Sequence, residues 1–271
     1  MVVLDVSSRR AARRRAAVRA VVLLACGVAS GHRPGTCDPV RAATPDGAAT
    51  INSEHAGDPL PAEAARAAVA TRVALEITLL ASEPVIVNPI AATVDAAGRL
   101  LVAENLTYAE RPLRTDTRWR DRVTLVEDAD GDGVAERHAV LVDGLVGLTG
   151  LTVGRGGLWL LCPPRLLFIP AGDRPPDGWS ADPSPTDASA RADRAETVLD
   201  GFTVSEGSHH TFANGLSWGP DGWLYGRCGA SSPGAIGPPG VAAAARVPLR
   251  GGMWRYHPER KVFEAVCHGT T

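Results

Sequence analysis

Three stretches of this chain repeat one pattern at a spacing near 45 residues, and nothing else in the sequence restricts the possible folds as strongly. They are ATVDAAGRLLV (92–102), LTVGRGGLWLL (151–161) and LSWGPDGWLYG (216–226). In each, an apolar run enters a turn of Gly and Asp and a second apolar run leaves it, the pattern of a β-hairpin. Behind the hairpins come strand-like segments at 122–128, 165–171 and 252–258. Each unit closes on a similar tripeptide: Asp143-Gly144-Leu145, Asp200-Gly201-Phe202 and His268-Gly269-Thr270. From turn glycine to closing glycine the units run 98 to 144, 157 to 201 and 222 to 269, or 46, 44 and 47 residues. Such a period, made of about four short strands, fits a propeller blade better than any helical repeat. The expected fold is all-β: a partial β-propeller of about three blades near 85–145, 146–202 and 203–271, each an antiparallel four-stranded sheet. Closed propellers use roughly 4 to 8 blades. An open ring would expose apolar sheet edges, which natural sheets avoid, so the sequence reads as a fragment.

Upstream of the repeats the chain changes character. The formal charge of −2 conceals six arginines and one aspartate in the first nineteen residues, which leaves a body near −7. A mildly acidic body offers no electrostatic footprint for nucleic acid. The arginines precede a short apolar run at 20–30, the order of an export signal, and that run is too short to span a bilayer as a helix. Leu23-Leu24-Ala25-Cys26 also has the shape of a lipoprotein signal, in which Cys26 would be lipidated; Leu24 departs from the small residue usual there. Cleavage near Ala29-Ser30, or a start codon placed too early, remain alternatives. The chain is therefore expected to be exported, periplasmic or membrane-anchored, touching a membrane only through such an anchor. Arg9-Arg10 permits twin-arginine export without showing it. Residues 31–60 have the composition of a disordered linker. PAEAARAAVA (61–70) places Pro ahead of good helix formers and predicts a short helix. In 72–84, the alternation of Val73, Leu75, Ile77 and Leu79 predicts a strand.

The sharpest chemical motif is 128–136, DADGDGVAE. Asp128, Asp130, Asp132 and Glu136 supply oxygen donors at a spacing that lets a loop curl around Ca²⁺, a hard cation that takes 6–8 oxygens. It is not an EF-hand: the twelfth position is Ala139 and the flanks are strand-like. A solvated acidic turn between strands is the alternative. Polar, proline-rich insertions at 174–196 and 229–245 are expected on the surface.

His209 and His210 stand just before the third hairpin. Histidine is the usual general base near neutral pH, and at this place in a blade it would face the central channel; a structural hydrogen bond is the alternative. Asn214, followed by Gly215, is either a turn residue or a channel-lining polar group.

HHTFANGLSWGPDGWLYG (209–226), with 81–105 and 122–145, resembles the membrane-bound dehydrogenase family of planctomycete-type bacteria. The resemblance covers about 61–271. It implies an exported N-terminal propeller related to the glucose/sorbosone dehydrogenases that use pyrroloquinoline quinone, acting on a sugar or other alcohol and passing electrons to an acceptor such as a c-type cytochrome. It also implies His210, with His209 in reserve, as the base that takes the substrate hydroxyl proton, and Asn214 near the cofactor. No C-x-x-C-H occurs, so no haem attachment is encoded in these residues. The quinone-holding residues of the relatives come from later blades, so this fragment alone would be inactive. The alternative class is a non-catalytic exported propeller that binds glycans or partner proteins.

Cys37, Cys162, Cys228 and Cys267 are too dispersed for a zinc knuckle. Cys162 and Cys228 each end a hairpin and suit buried apolar positions, although a pairing in an oxidising compartment is conceivable. Trp159, Trp218, Trp223 and Trp254 suit blade interfaces better than sugar stacking.

Overall fold

The computed structural model of the chain describes residues 2–8, 22–24, 60–70, 75–109, 115–171, 185–203, 212–229 and 233–269. The chain divides into two compact units, Met1–Glu83 and Pro84–Thr271. The first contains β1 (Val2–Ser8), β2 (Val22–Leu24), α1 (Ala62–Ala67) and β3 (Leu75–Ser82). β1 lies between β2 and β3 in an antiparallel sheet, so two stretches of the leader are strand-paired. α1 and β3 are the helix and strand expected from 61–84. Ala65 N–H donates to Pro61 O at 2.9 Å, and Arg66 bonds both Glu63 and the Ile77 carbonyl, tying the helix to β3.

The second unit holds three four-stranded sheets in chain order. The first is β4 (Pro89–Val94), β5 (Leu100–Glu104), β6 (Asp121–Glu127) and β7 (Arg137–Leu145). β8 (Gly150–Gly154), β9 (Gly157–Cys162) and β10 (Arg165–Pro170) form the second, which is completed, after α2 (Pro185–Asp193), by β11 (Glu196–Asp200). The third is β12 (Asn214–Trp218), β13 (Leu224–Cys228), β16 (Gly252–His257) and β17 (Val262–Cys267), with a two-stranded ribbon, β14 (Gly234–Ile236) and β15 (Val247–Leu249), inserted between its second and third strands. Every sheet is antiparallel throughout. β8 lies against β4 on one side and β12 on the other, so the leading strands of the three sheets stand side by side. This is a partial propeller of three blades, as the repeat predicts.

The pleat explains which residues hold the blades together. Successive side chains on a strand face opposite ways. In the middle sheet Leu151, Leu158, Leu160, Leu167 and Ile169 pack with Leu101, Val123, Leu125 and Leu141 of the first. The alternate residues Trp159, Leu161, Leu166 and Leu199 pack with Leu224, Trp254, Tyr256 and Phe263 of the third. A sheet buried on both faces needs near-continuous apolar strands, and LLFI and LWLL supply them. Hydrogen bonds pin the innermost strands: Thr149 Oγ1 donates to Ala213 O at 2.5 Å and Trp218 Nε1 to Val153 O at 2.9 Å.

The hairpin turns come in two kinds. In the first and third repeats the same five-residue turn appears: Asp95 N–H to Arg99 O and Gly98 N–H to Asp95 O, against Gly219 N–H to Trp223 O and Gly222 N–H to Gly219 O. Gly98 and Gly222 have φ of 82° and 80°, which only glycine adopts without strain. The middle repeat instead pairs Gly154 with Gly157 around Arg155 (φ 51°) and Gly156 (φ 77°), a two-residue turn of the I′ kind.

The insertion expected as surface loop at 174–196 is in part a helix. α2 packs on β7, with Ala188 buried, Ala192 and Ala195 against the core, and Arg191 donating to Leu141 O at 2.9 Å. An alanine stripe at i, i+4 gives a helix a thin apolar face even when its composition is polar. The insertion at 229–245 likewise contributes β14 and a 3-10 turn at Ala243–Ala245.

Candidate functional site

The acidic loop joins β6 to β7, which continue as a two-stranded ladder to its mouth, where Glu136 N–H donates to Glu127 O at 3.1 Å. Inside the loop the carboxylates hold the backbone. Asp128 accepts from Gly131 and Gly133 N–H, Asp130 from Asp132 N–H, Asp132 from Val134 N–H, and Glu136 from Ala129 N–H. Gly131 and Gly133, with φ of 81° and 92°, give the curl. One oxygen from each of Asp128, Asp130, Asp132 and Glu136 lies within 4.8 Å of the others. Oxygens bound to Ca²⁺ at about 2.4 Å are at most about 5 Å apart, so the four donors match a single ion in spacing and in hardness. Asp128 is half-buried and the other three are exposed.

His209 and His210 lie outside the described residues, as does Cys26. Asn214 opens the innermost strand β12. Its Nδ2 donates to Phe212 O at 2.9 Å and its Oδ1 accepts from Arg227 Nε, so both ends of the amide are engaged within the chain. Pyrroloquinoline quinone is a planar tricarboxylate that needs several convergent cationic donors. The described residues at this position, an engaged Asn214 and one arginine bonded to it, do not make up such a site.

A different concavity opens between the second and third sheets. Part of one cross-strand row of the middle sheet, Trp159–Phe168–Glu196, supplies one wall. Opposite stand Tyr256 and the β16–β17 turn with Pro258, Glu259 and Lys261, and Pro238 and Pro239 close one side. The groove encloses about 670 Å³, within the size range of small-molecule sites. Arg155 at its rim pairs with Glu259 at 2.8 Å and stacks on Trp218 at 5.8 Å. Tyr256 is 3% exposed, and burial raises its hydroxyl pKa above the ordinary tyrosine value.

A family model described as a domain of unknown function, DUF7133, matches residues 61–271. The chain belongs to the DUF7133 family. No curated protein matches it. The DUF7133 region runs from the proline before α1 through all three sheets, so the calcium-type loop, Asn214 and the groove all lie within it.

Of the cysteines in the DUF7133 sheets, Cys162 and Cys228 are buried and Cys267 is exposed. Burial pushes the Cys162 thiol far up and the Cys228 thiol to about 11, so neither is a nucleophile at neutral pH. Trp159 and Trp254 are buried and Trp218 is half-buried between the second and third sheets, their expected place, whereas Trp223 is buried under Arg255 and beside His257. Sequence reasoning missed the groove. Its one available signal was Glu196 falling in register with Trp159 and Phe168 on the row that faces the third sheet.

Proposed function

We propose that the chain is an exported propeller module that binds a ligand or partner, with Ca²⁺ held by Asp128, Asp130, Asp132 and Glu136 as a structural ion. The observation that carries the binding role is the open groove between the second and third sheets, walled by residues of both. Calcium would replace mutual repulsion among four carboxylates with coordination and so brace the β6–β7 hairpin. Export rests on the arginine-rich leader, with Cys26 as the anchor point where a lipid is attached. Calorimetric titration tests the ion: Ca²⁺ should bind with one site per chain and Asp130→Asn should abolish it, while Mg²⁺ should compete poorly. Thermal midpoints in Ca²⁺ and in chelator should then differ, since an ion at 100 times its Kd stabilises the folded state by about 2.7 kcal/mol. Equal midpoints and no heat of binding would remove the ion from the proposal.

The second reading is the propeller portion of a quinoprotein-like dehydrogenase that oxidises a sugar or other alcohol. It rests on the resemblance carried by 209–226, with His210 as the base and Asn214, four residues further on, near the cofactor. The described residues do not form the quinone site. Dye reduction that requires added quinone and is lost in His210→Ala would select this reading over the first, and an absence of quinone-dependent turnover in the longest expressed form of the gene would reject it.

A further inference from the structure

We propose that the groove between the second and third sheets is a binding site for a short neutral saccharide, an inference that rests on the binding-module reading and specifies its ligand. Tyr256 carries the first step. Its side chain is almost wholly buried, yet its hydroxyl makes no hydrogen bond with any described residue, and it is not among the sealed-off polar atoms, so it reaches solvent where Tyr256 lines the groove. A buried tyrosine hydroxyl ordinarily finds a partner. No described residue supplies that partner, so in this groove the hydroxyl is open to water or to a ligand.

The class of ligand follows from the rest of the lining. Arg155 and Glu259 neutralise each other. Lys261 and Glu196, of opposite charge, form no ion pair with any described residue. The formal charge of the lining is therefore zero, which selects neither an anion nor a cation, while an ammonium, a carboxylate and two hydroxyls (Thr197 and Tyr256) offer donors and acceptors together. Phe168, half-exposed above Trp159 with ring centroids 4.6 Å apart, adds an apolar wall. A peptide adding itself as a strand would need backbone donors, and Pro238, Pro239 and Pro258 have none to give. A ligand read by side chains, neutral, rich in hydroxyls and apolar on one face, is a pyranose chain of one or two units, which suits the volume.

The test is an array of neutral oligosaccharides with sialylated and sulfated glycans as controls, probed with the full chain and followed by titration with the strongest neutral binder. Tyr256→Phe removes only the oxygen, and because that oxygen has no partner among the described residues the unfolding midpoint should not fall. Affinity should drop about tenfold, the worth of one hydrogen bond of roughly 1.4 kcal/mol, and Glu196→Gln should weaken the same ligand. Preference for the anionic glycans, or binding unchanged in both variants, overturns the groove assignment and leaves the module reading standing with its ligand elsewhere. No binding to any neutral glycan overturns the saccharide, whereas the module reading falls only to quinone-dependent turnover.

Discussion

Asp121 is the residue whose removal tests how the first two blades are joined. It begins β6, is wholly buried, and accepts three hydrogen bonds: Thr107 N–H at 2.7 Å, Thr107 Oγ1 at 2.9 Å and Leu148 N–H at 2.7 Å. Leu148 sits in the link between the first and second sheets, so one carboxyl fastens the β5–β6 loop to the next blade. Asp121→Ala leaves two buried amides without an acceptor, each worth roughly 1–3 kcal/mol. The relief of burying a carboxylate offsets part of that, and a net loss of about 3 kcal/mol follows, or roughly 6–12 °C in midpoint for a unit of this size. Urea unfolding followed by tryptophan fluorescence measures it. Asp116, in the same loop, is the control: its partner Arg118 is exposed and holds its carboxyl down to about 2, and Asp116→Ala should leave the midpoint where it was. A loss below about 0.5 kcal/mol in Asp121→Ala, a small fraction of the two amide terms, would refute the reasoning. The pH dependence has a definite sign. Burial raises the Asp121 pKa above 3.8 against the pull of its donors, so the folded state holds the proton to higher pH than the unfolded. That contribution is present below 3.8 and is lost as pH rises through the folded value. Wild type should therefore lose stability relative to Asp121→Asn as the pH is raised through that window; a parallel pair of profiles would show that the donors cancel burial, and a gain that they win.

Two further outcomes follow from packing. Gly226→Ala would drive a methyl group into the Trp254 ring, which is fully buried between the second and third sheets; an overpacked core of this kind costs about 1–3 kcal/mol, read as a lower urea midpoint, and an unchanged midpoint would mean that the ring has room to move. With a thiol reagent at neutral pH, Cys267 should label in the native protein while Cys162 and Cys228 label only after denaturation, as mass spectrometry of the peptides would report; fast native labelling of Cys162 would contradict its burial.

The fold was legible because a blade is a local object. Its strands are neighbours in sequence, its turns need glycine at fixed places, and a period near 45 residues repeats both. Gly144 and Gly201, which close the first two blades, show why the closing motif was visible: both have positive φ, and a side chain at Gly201 would meet the Ala235 carbonyl. What could not be read was anything dependent on partners distant in sequence. α2 hides in a polar insertion because two alanines, Ala188 and Ala192, suffice for its inward face. The carboxyl of Asp121 resembles any strand-edge aspartate until Thr107 and Leu148 arrive. The groove is harder still: Glu196 comes from the end of an insertion, Lys261 from a turn, and Tyr256 from a strand sixty residues further on. The clustering of the four carboxylates in 128–136 is local, spanning nine residues, and for that reason it was legible.

The third sheet shows how a single face records its surroundings. Its row Trp218–Leu224–Tyr256–Phe263 turns toward the middle sheet and is apolar; the adjacent row, Ser217–Tyr225–Arg255–Glu264, faces away. There Arg255 bonds Glu264 at 2.8 and 2.6 Å and lies 4.1 Å over the Trp223 ring, while Tyr225 donates to Asp221 at 2.7 Å. This face is a charged ladder, with Met253, Val262 and Val266 exposed around it. The contrast with the middle sheet is already in the strands, since LLFI is apolar at every position and LYGRC alternates. Cross-strand pairs of opposite charge stabilise a solvated sheet face, and covering them would require desolvating Arg255 and Glu264 together, which is costly unless the covering surface returns hydrogen bonds to both. Any chain that packs on this face must therefore be polar at its centre, unlike the leucine-rich contact between the first and second blades.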